Sequence, residues 1–378
     1  MNYLSAALSL FLSMFLAMLI IPKLLIIAVK HSLFDKIDER KTHIGDIPRI
    51  GGVSFVPCIL FSMMFIISIF NMFFSDGQAN NWLFSDNSEL SLFICGLLLI
   101  YLGGIKDDLI GMSSVYKFAI QAISSILLII SGLYIDGFYG FLGIYDMPVW
   151  IGIPLTVVLM VFIINSINLI DGMDGLASGI GIFALCTYGT LFMLHGMWYY
   201  SVLAFSTVGV LVTFFYYNVF GNVKKGRKLF MGDSGSLTLG FILAFLAIRY
   251  THYSPGEMAP VDNSFIIAFS PILIPMLDVL RVMLSRIRRQ KNMFKPDRSH
   301  IHHKLIDMGI GKTMALIVLF GMSSGFCALN FFLIGVMNCT FIFLIDIALW
   351  VLINMYFSYV IKRNSMRYNK IVLDQAIE

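Results

Sequence analysis

Long apolar stretches separated by short polar segments organise the whole chain. A hydrocarbon core of about 30 Å needs roughly 20 apolar residues per helix. Eleven stretches meet that need, near 3–22, 52–74, 89–105, 117–134, 148–166, 176–194, 199–217, 235–250, 264–284, 313–334 and 339–361. The third and eighth are the shortest, near 16 residues. The pattern predicts an all-α, polytopic transmembrane helical bundle of about 11 helices, read as one integral membrane domain over residues 1–378. The first stretch lacks the basic lead of a signal peptide and is expected to be a retained helix. No soluble domain, low-complexity linker or internal repeat interrupts the series, and the missing repeat weakens a transporter reading.

The polar segments are sorted by charge. With the N-terminus outside and the C-terminus cytoplasmic, 23 of the 26 Lys and Arg residues fall on the inner side. They occupy loops near 30–51, 103–117, 218–234 and 285–312 and the tail 362–378, while the loop near 165–176 carries none. The outer loops near 75–88, 135–147, 195–198, 251–263 and 335–338 contain neither Lys nor Arg. That asymmetry sets the expected orientation.

Composition agrees with the bilayer reading, at 58% hydrophobic and 13% charged against roughly 25% charged for soluble domains. A net charge of +4 without a basic face or an aromatic motif gives no support for nucleic-acid binding. Cys58, Cys95, Cys186, Cys327 and Cys339 lie in or beside apolar runs, without metal-ligand spacing, and read as small packing residues.

The acids of the outer loops (Asp76, Asp86, Glu89, Asp136, Asp146, Glu257 and Asp262) are scattered singles, read as solvated. Those of the inner loops sit beside glycines at helix ends, where a charge is costly to place by accident. Asp107 and Asp108 are adjacent and need a cation. Asp171 and Asp174, with Asn168 before them, would share one face if helical, and hard oxygen ligands without a local base suit a divalent cation. Asp233 stands in Met231-Gly-Asp-Ser-Gly-Ser236, where Ser234 or Ser236 is expected to cap the following helix and leave its N–H groups for a phosphate. His300, His302 and His303 follow Arg298 in the most basic loop and can bind metal or phosphate or move protons. Asp278 and Asp346, inside apolar stretches, read as structural. Carboxylates facing bases on one side of a membrane suit phosphoryl transfer. Walker, EF-hand and His-Glu-x-x-His patterns are absent.

In order along the chain come Arg40-Lys41-x-His43…Pro48-Arg49-x-Gly51-Gly52, Asp107-Asp108, Asn168-x-x-Asp171-Gly-x-Asp174-Gly-Leu176, Met231-Gly-Asp233-Ser-Gly-Ser and Pro296-Asp-Arg298-x-His300-x-His302-His303. Over roughly residues 35–304 this series resembles the polyprenyl-phosphate N-acetylhexosamine-1-phosphate transferases, a glycosyltransferase family 4-like group. Its first and last motifs are closer to the GlcNAc-type branch than to the phospho-MurNAc-pentapeptide translocase. Gly111 stands where some members place a further acid, so no role is given to a third acid there.

The resemblance implies transfer of N-acetylhexosamine 1-phosphate, GlcNAc above others, from a UDP-sugar to undecaprenyl phosphate. The products would be undecaprenyl diphosphate-sugar and UMP, beginning a cell-envelope polysaccharide at the cytoplasmic face of a bacterial inner membrane. Another UDP-N-acetylhexosamine or UDP-MurNAc-pentapeptide remains open as donor, as does, remotely, a non-catalytic lipid-linked transporter. It implies Mg²⁺ or Mn²⁺, held by Asp233, Asp171 and Asp108. Asp107, Asp108, Asp171, Asp174, Asp233, His300, His302 and His303 would be catalytic, and Lys41, His43, Lys117, Asn168, Asn218 and Arg298 would bind substrate. The family also suggests a homodimer.

Overall fold

The polar segments fall at helix ends in the computed structural model, which describes residues 2–31, 47–74, 88–252, 263–290 and 299–377. Thirteen helices are described: α1 (Asn2–Lys30), α2 (Phe55–Phe74), α3 (Ser88–Ile110), α4 (Ser114–Ile130), α5 (Val149–Ile170), α6 (Leu176–Leu194), α7 (Trp198–Val219), α8 (Gly232–Thr251), α9 (Ser264–Phe269), α10 (Leu273–Arg288), α11 (Ile301–Asp307), α12 (Lys312–Leu333) and α13 (Cys339–Ile377). Ten helical segments are long and apolar enough to cross a membrane, one of them the broken segment Ser264–Arg288, and the shorter Ser114–Ile130 makes an eleventh apolar helix. The protein is therefore a multi-pass, all-α membrane bundle.

Several stretches depart from the apolar pattern. The third and eighth stretches lengthen to Ser88–Ile110 and Gly232–Thr251, because their polar ends, with Asp107, Asp108 and Asp233, are helical too. The ninth breaks between α9 and α10, where Pro271 has no N–H to give and Ser270 turns its hydroxyl back onto the Ile266 carbonyl. The last runs on to Ile377, so the expected tail is helical to that residue.

α8 is the axis of the bundle. Every one of its residues except Tyr250 is buried, and it packs against α3, α5, α6 and the 3₁₀ turn Gly51–Ser54 that opens α2. An all-round buried helix needs no polar face, so its apolar residues do not collect on one side. Small residues bring its neighbours close: a Cβ on Gly240 would stand 2.8 Å from Ile164 Cα of α5.

At the end of α8 remote from Asp233, Arg249 is 2% exposed. Its Nε lies 3.2 Å from Glu89 and 2.8 Å from the Tyr200 hydroxyl, which itself donates to Glu89. Asp136 accepts from Tyr139 and lies 3.6 Å from His252. Glu89 and Asp136 are thus not solvated singles: Glu89 answers a buried guanidinium, and Asp136 pairs with half-buried Tyr139 and His252. Asp146 is exposed as expected, and Asp76, Asp86, Glu257 and Asp262 lie outside the described residues.

Candidate active site

The site assembles around the first turn of α8. The chain at Pro48–Gly52 pairs with the strand-like approach to that turn: Phe230 N–H donates to the Pro48 carbonyl (2.8 Å), Gly51 N–H to Phe230 (3.0 Å) and Gly52 N–H to Met231 (2.8 Å). This pairing sets Arg49 3.8 Å from Asp233. Glycines make the approach possible. A Cβ on Gly52 would lie 2.0 Å from the Gly235 nitrogen, and one on Gly104 would lie 2.4 Å from Ser234 Cα. The glycines of three separate motifs are therefore one packing surface.

Asp108 closes the turn. Its two carboxylate oxygens accept from the backbone N–H groups of Asp233 (2.7 Å) and Ser234 (2.9 Å), at the positive end of the α8 dipole. Gly232 sits at φ +71°, and any side chain there would strike the Asp108 carboxylate. The cap of α8 is thus Asp108 from α3, not Ser234 or Ser236, and two of the N–H groups expected to face a phosphate are taken.

Lys117 of α4 bridges two acids, with Nζ 2.6 Å from Asp107 and 2.5 Å from Asp233. Asn168, in the last turn of α5, donates to Asp233 (3.1 Å) and to Ser236 (2.8 Å). The other oxygen of Asp107 accepts from Met112 N–H, fastening the left-handed turn at Gly111 that ends α3.

Residues 171–175 form a turn, not a further helical turn, so Asn168, Asp171 and Asp174 do not share a helix face. Asp174 swings to Lys228 (2.6 Å). Asn218 bridges the same turn to the approach of α8: its oxygen accepts from Gly175 N–H and its amide donates to the Leu229 carbonyl. Asn218 thus shapes the loop with its amide. Asp171 has no hydrogen-bond partner to its carboxylate among the described residues. Burial, together with Asp233, Asp174 and Asp108, pushes its carboxyl well above the usual carboxylate range, and Arg49 offsets this only in part.

His302 and His303 lie on α11, a short helix where the sequence suggested only a loop, and His300 is its N-cap. His302 is 2% exposed and leans on the Asp171 turn, since a Cβ on Gly172 would stand 2.7 Å from its Nε2. Neither ring nitrogen has a partner, and burial lowers its pKa to about 3, with His303 and His300 adding to the effect. It is a neutral ring with two orphaned polar atoms at the edge of the site. His300 and His303 flank it, with ring centroids 6.0 and 4.3 Å away. Lys41, His43 and Arg298 lie outside the described residues.

Arg49, Lys228, Ser236 and Asp278 were not singled out as site residues by the sequence. Lys228 and Arg49 stood among many loop bases, and only the fold shows which of them meets an acid. Among the described residues, Asp107, Asp108, Asp171, Asp174 and Asp233 face only Lys117, Lys228 and Arg49, two more acids than bases. No three acids or histidines among the described residues form a ready-made metal cage. The arrangement fits a divalent cation that comes with substrate oxygens, because Mg²⁺ is commonly held by one or two carboxylates plus phosphates.

The chain is similar to known proteins over most of its length. Residues 90–251 match the family described as glycosyl transferase family 4. The chain is 29% identical over 310 residues, 82% of its own length and 79% of the relative's, to a probable undecaprenyl-phosphate N-acetylglucosaminyl 1-phosphate transferase of Bacillus subtilis (strain 168). It is 28% identical to the undecaprenyl-phosphate alpha-N-acetylglucosaminyl 1-phosphate transferase of Yersinia pestis, over 89% of this chain and 86% of that one. With the protein of the same description from Escherichia coli (strain K12) it shares 28% over 78% and 74%. These matches bear out the family resemblance carried by the motifs.

Proposed function

We propose, from that family match and this geometry, that the protein transfers N-acetylglucosamine 1-phosphate from UDP-GlcNAc to undecaprenyl phosphate. An oxygen of the lipid phosphate bonds to the β-phosphorus, the bond from that phosphorus to the oxygen of the α-phosphate breaks, and UMP leaves with the electron pair. The basic residues gathered at the ends of these segments support a site on the cytoplasmic face of a bacterial inner membrane, and the product would begin a cell-envelope polysaccharide.

The observation that carries the reading is the Lys117 bridge between Asp107 and Asp233 beside Asp171, whose carboxylate has no partner among the described residues. Two anionic phosphates must meet there, and their repulsion is the main obstacle. Lys117, Lys228 and Arg49 supply fixed positive charge where it develops. A Mg²⁺ or Mn²⁺ ion, held by Asp171 with Asp233 or Asp108 beside it, would add Lewis-acid stabilisation of the diphosphate when bound. Asn168 fixes the Asp233 carboxylate, and the His302 nitrogens offer polar contacts to a substrate entering over the Asp171 turn.

The test supplies purified protein, undecaprenyl phosphate, Mg²⁺ and a panel of UDP-sugars. UMP release, greatest with UDP-GlcNAc and without inorganic phosphate, is expected. Inorganic phosphate as the product, or no UMP with any UDP-N-acetylhexosamine, would overturn the reading.

A further inference from the structure

Asp278 of α10 is an acid that the transfer reaction, as described so far, does not use. It is 1% exposed. Its carboxylate takes the Arg281 guanidinium (2.7 Å), the Nδ1 of His300 (2.9 Å) and the backbone N–H of Ile301 (3.1 and 3.2 Å to its two oxygens). Arg281 also donates to the Ser299 carbonyl (2.6 Å). Two residues of α10 therefore grip three successive residues, Ser299 to Ile301, where α11 begins. Burying a carboxylate demands such pairing, and four bonds to one acid exceed what joining two helices requires.

The pairing has a chemical consequence. A carboxylate bonded to a guanidinium and a backbone N–H has no proton to give, so His300 Nδ1 must be the donor. The hydrogen bond at one ring nitrogen determines what the other presents. His300 therefore keeps its proton at Nδ1 and offers Nε2 for chemistry, in a fixed ring plane. That plane is nearly parallel to His302, at 6°, and His302 rests on Gly172 of the Asp171 turn. A row of neighbouring groups therefore runs from Asp278 through His300 and His302 to the turn that carries Asp171.

We propose that Asp278 is a positioning residue for the transfer reaction: it sets the tautomer and ring plane of His300 and anchors the start of α11, thereby holding the histidine row against the Asp171 turn. This inference rests on the function proposed above.

The test measures kcat and KM of the purified protein with UDP-GlcNAc, undecaprenyl phosphate and Mg²⁺. Asp278→Asn is expected to lower kcat about 10–100-fold, the loss typical when the group orienting a functional histidine is removed, with KM for UDP-GlcNAc changed less than about threefold. In a His300→Ala background, adding Asp278→Asn is expected to cost less than about twofold further, since the ring it orients is gone. His300→Asn keeps an amide to bond Asp278 but has nothing in place of Nε2, and is expected to fold and to be slow. Full activity of His300→Asn, or losses from Asp278→Asn and His300→Ala that multiply, would show a purely structural fastening and overturn the proposal. If Asp278→Asn fails to fold, His300→Asn alone decides. A wild type inactive on every UDP-sugar would instead sink the functional reading on which the proposal stands.

Discussion

Replacing Asp108 by alanine tests whether that residue is a strut or a reacting group. The change removes the only side chain among the described residues that accepts from the Asp233 and Ser234 N–H groups, at 2.7 and 2.9 Å. Loss of a helix N-cap costs about 1 kcal/mol, and a buried N–H left without an acceptor about 1–3 kcal/mol. The two N–H groups are the first donors of a helix buried along almost its whole length, so water replaces the carboxylate poorly. A destabilisation of about 2–4 kcal/mol follows. Asp108→Asn keeps one acceptor oxygen and is expected to lose about half as much. Asp107→Asn retains the Met112 bond and is expected to melt near wild type while losing rate, because its other oxygen faces Lys117. The protein carries its own reporter: Cys58, Cys327 and Cys339 are buried free thiols, whereas Cys95 is exposed. A thiol-reactive dye in detergent should therefore give a small fast signal and then a melting transition. The transition is expected to fall in the order wild type, Asp108→Asn, Asp108→Ala. An Asp108→Ala protein that melts with the wild type and has lost its turnover would refute the capping argument and make Asp108 a reacting group.

His302 gives a pH dependence. Its folded pKa, about 3, lies below that of an unfolded histidine, so the unfolded state binds the extra proton as pH falls. The stability contribution is full above about pH 6.5 and is lost between there and about pH 3; His302→Phe should flatten that part of the melting-versus-pH curve while turnover is lost, and an unchanged slope would remove the buried neutral ring from the account. Burial and neighbouring acids raise the Asp171 carboxyl well above the usual carboxylate range, so its charged form costs stability until a cation arrives. Mg²⁺ with UDP is expected to raise the wild-type melting temperature, and Asp171→Asn to raise that of the metal-free protein and remove the Mg²⁺ shift; a shift kept in the variant would take Asp171 out of the cation site. One diphosphate ester is exchanged for another, so the reaction should run near balance, and labelled UMP should pass into UDP-GlcNAc in the presence of the lipid diphosphate product; active protein without exchange would contradict that.

The spans were legible because bilayer thickness imposes a run length that few polar residues can hide. The roles of the acids were not, because each is decided by a partner distant in sequence. Asp107 and Asp108 are neighbours on one helix, yet one faces Lys117 and the other the end of α8. Adjacent residues on a helix point about 100° apart, so which partner each meets depends on helix packing. Gly52, Gly104, Gly232 and Gly235 could be seen as turn formers, whereas their shared contact needed three helices in place. The pairing of Glu89 with Arg249 was hidden for the same reason. The two lie on α3 and α8, and a lone acid beside a predicted loop looks solvated until a buried guanidinium is found against it. Asp278 was visible as an acid in an apolar run, and the sequence held no sign that His300, 22 residues later, returns to it.

The distribution of bonds among the carboxylates also bears on how phosphorus is attacked. A two-step route needs an aspartate free to form a phosphoryl-enzyme. Asp108 has both oxygens on backbone N–H groups, Asp107 and Asp233 share Lys117, and Asp174 is held by Lys228. Asp171 has no partner to its oxygens among the described residues, but burial and neighbouring acids disfavour its charged, nucleophilic form, and a cation that stabilised that form would occupy the same lone pairs. The lipid phosphate is better placed: with a second pKa near 6 it is mostly a dianion at neutral pH and needs no strong base. A single in-line displacement follows, with inversion at the β-phosphorus. A UDP-GlcNAc made chiral at that phosphorus by isotopic or sulfur substitution, turned over once, reads the outcome directly. Retention would require two displacements and would oblige one of these bonded aspartates, or Asp171, to leave its present partners and act as nucleophile.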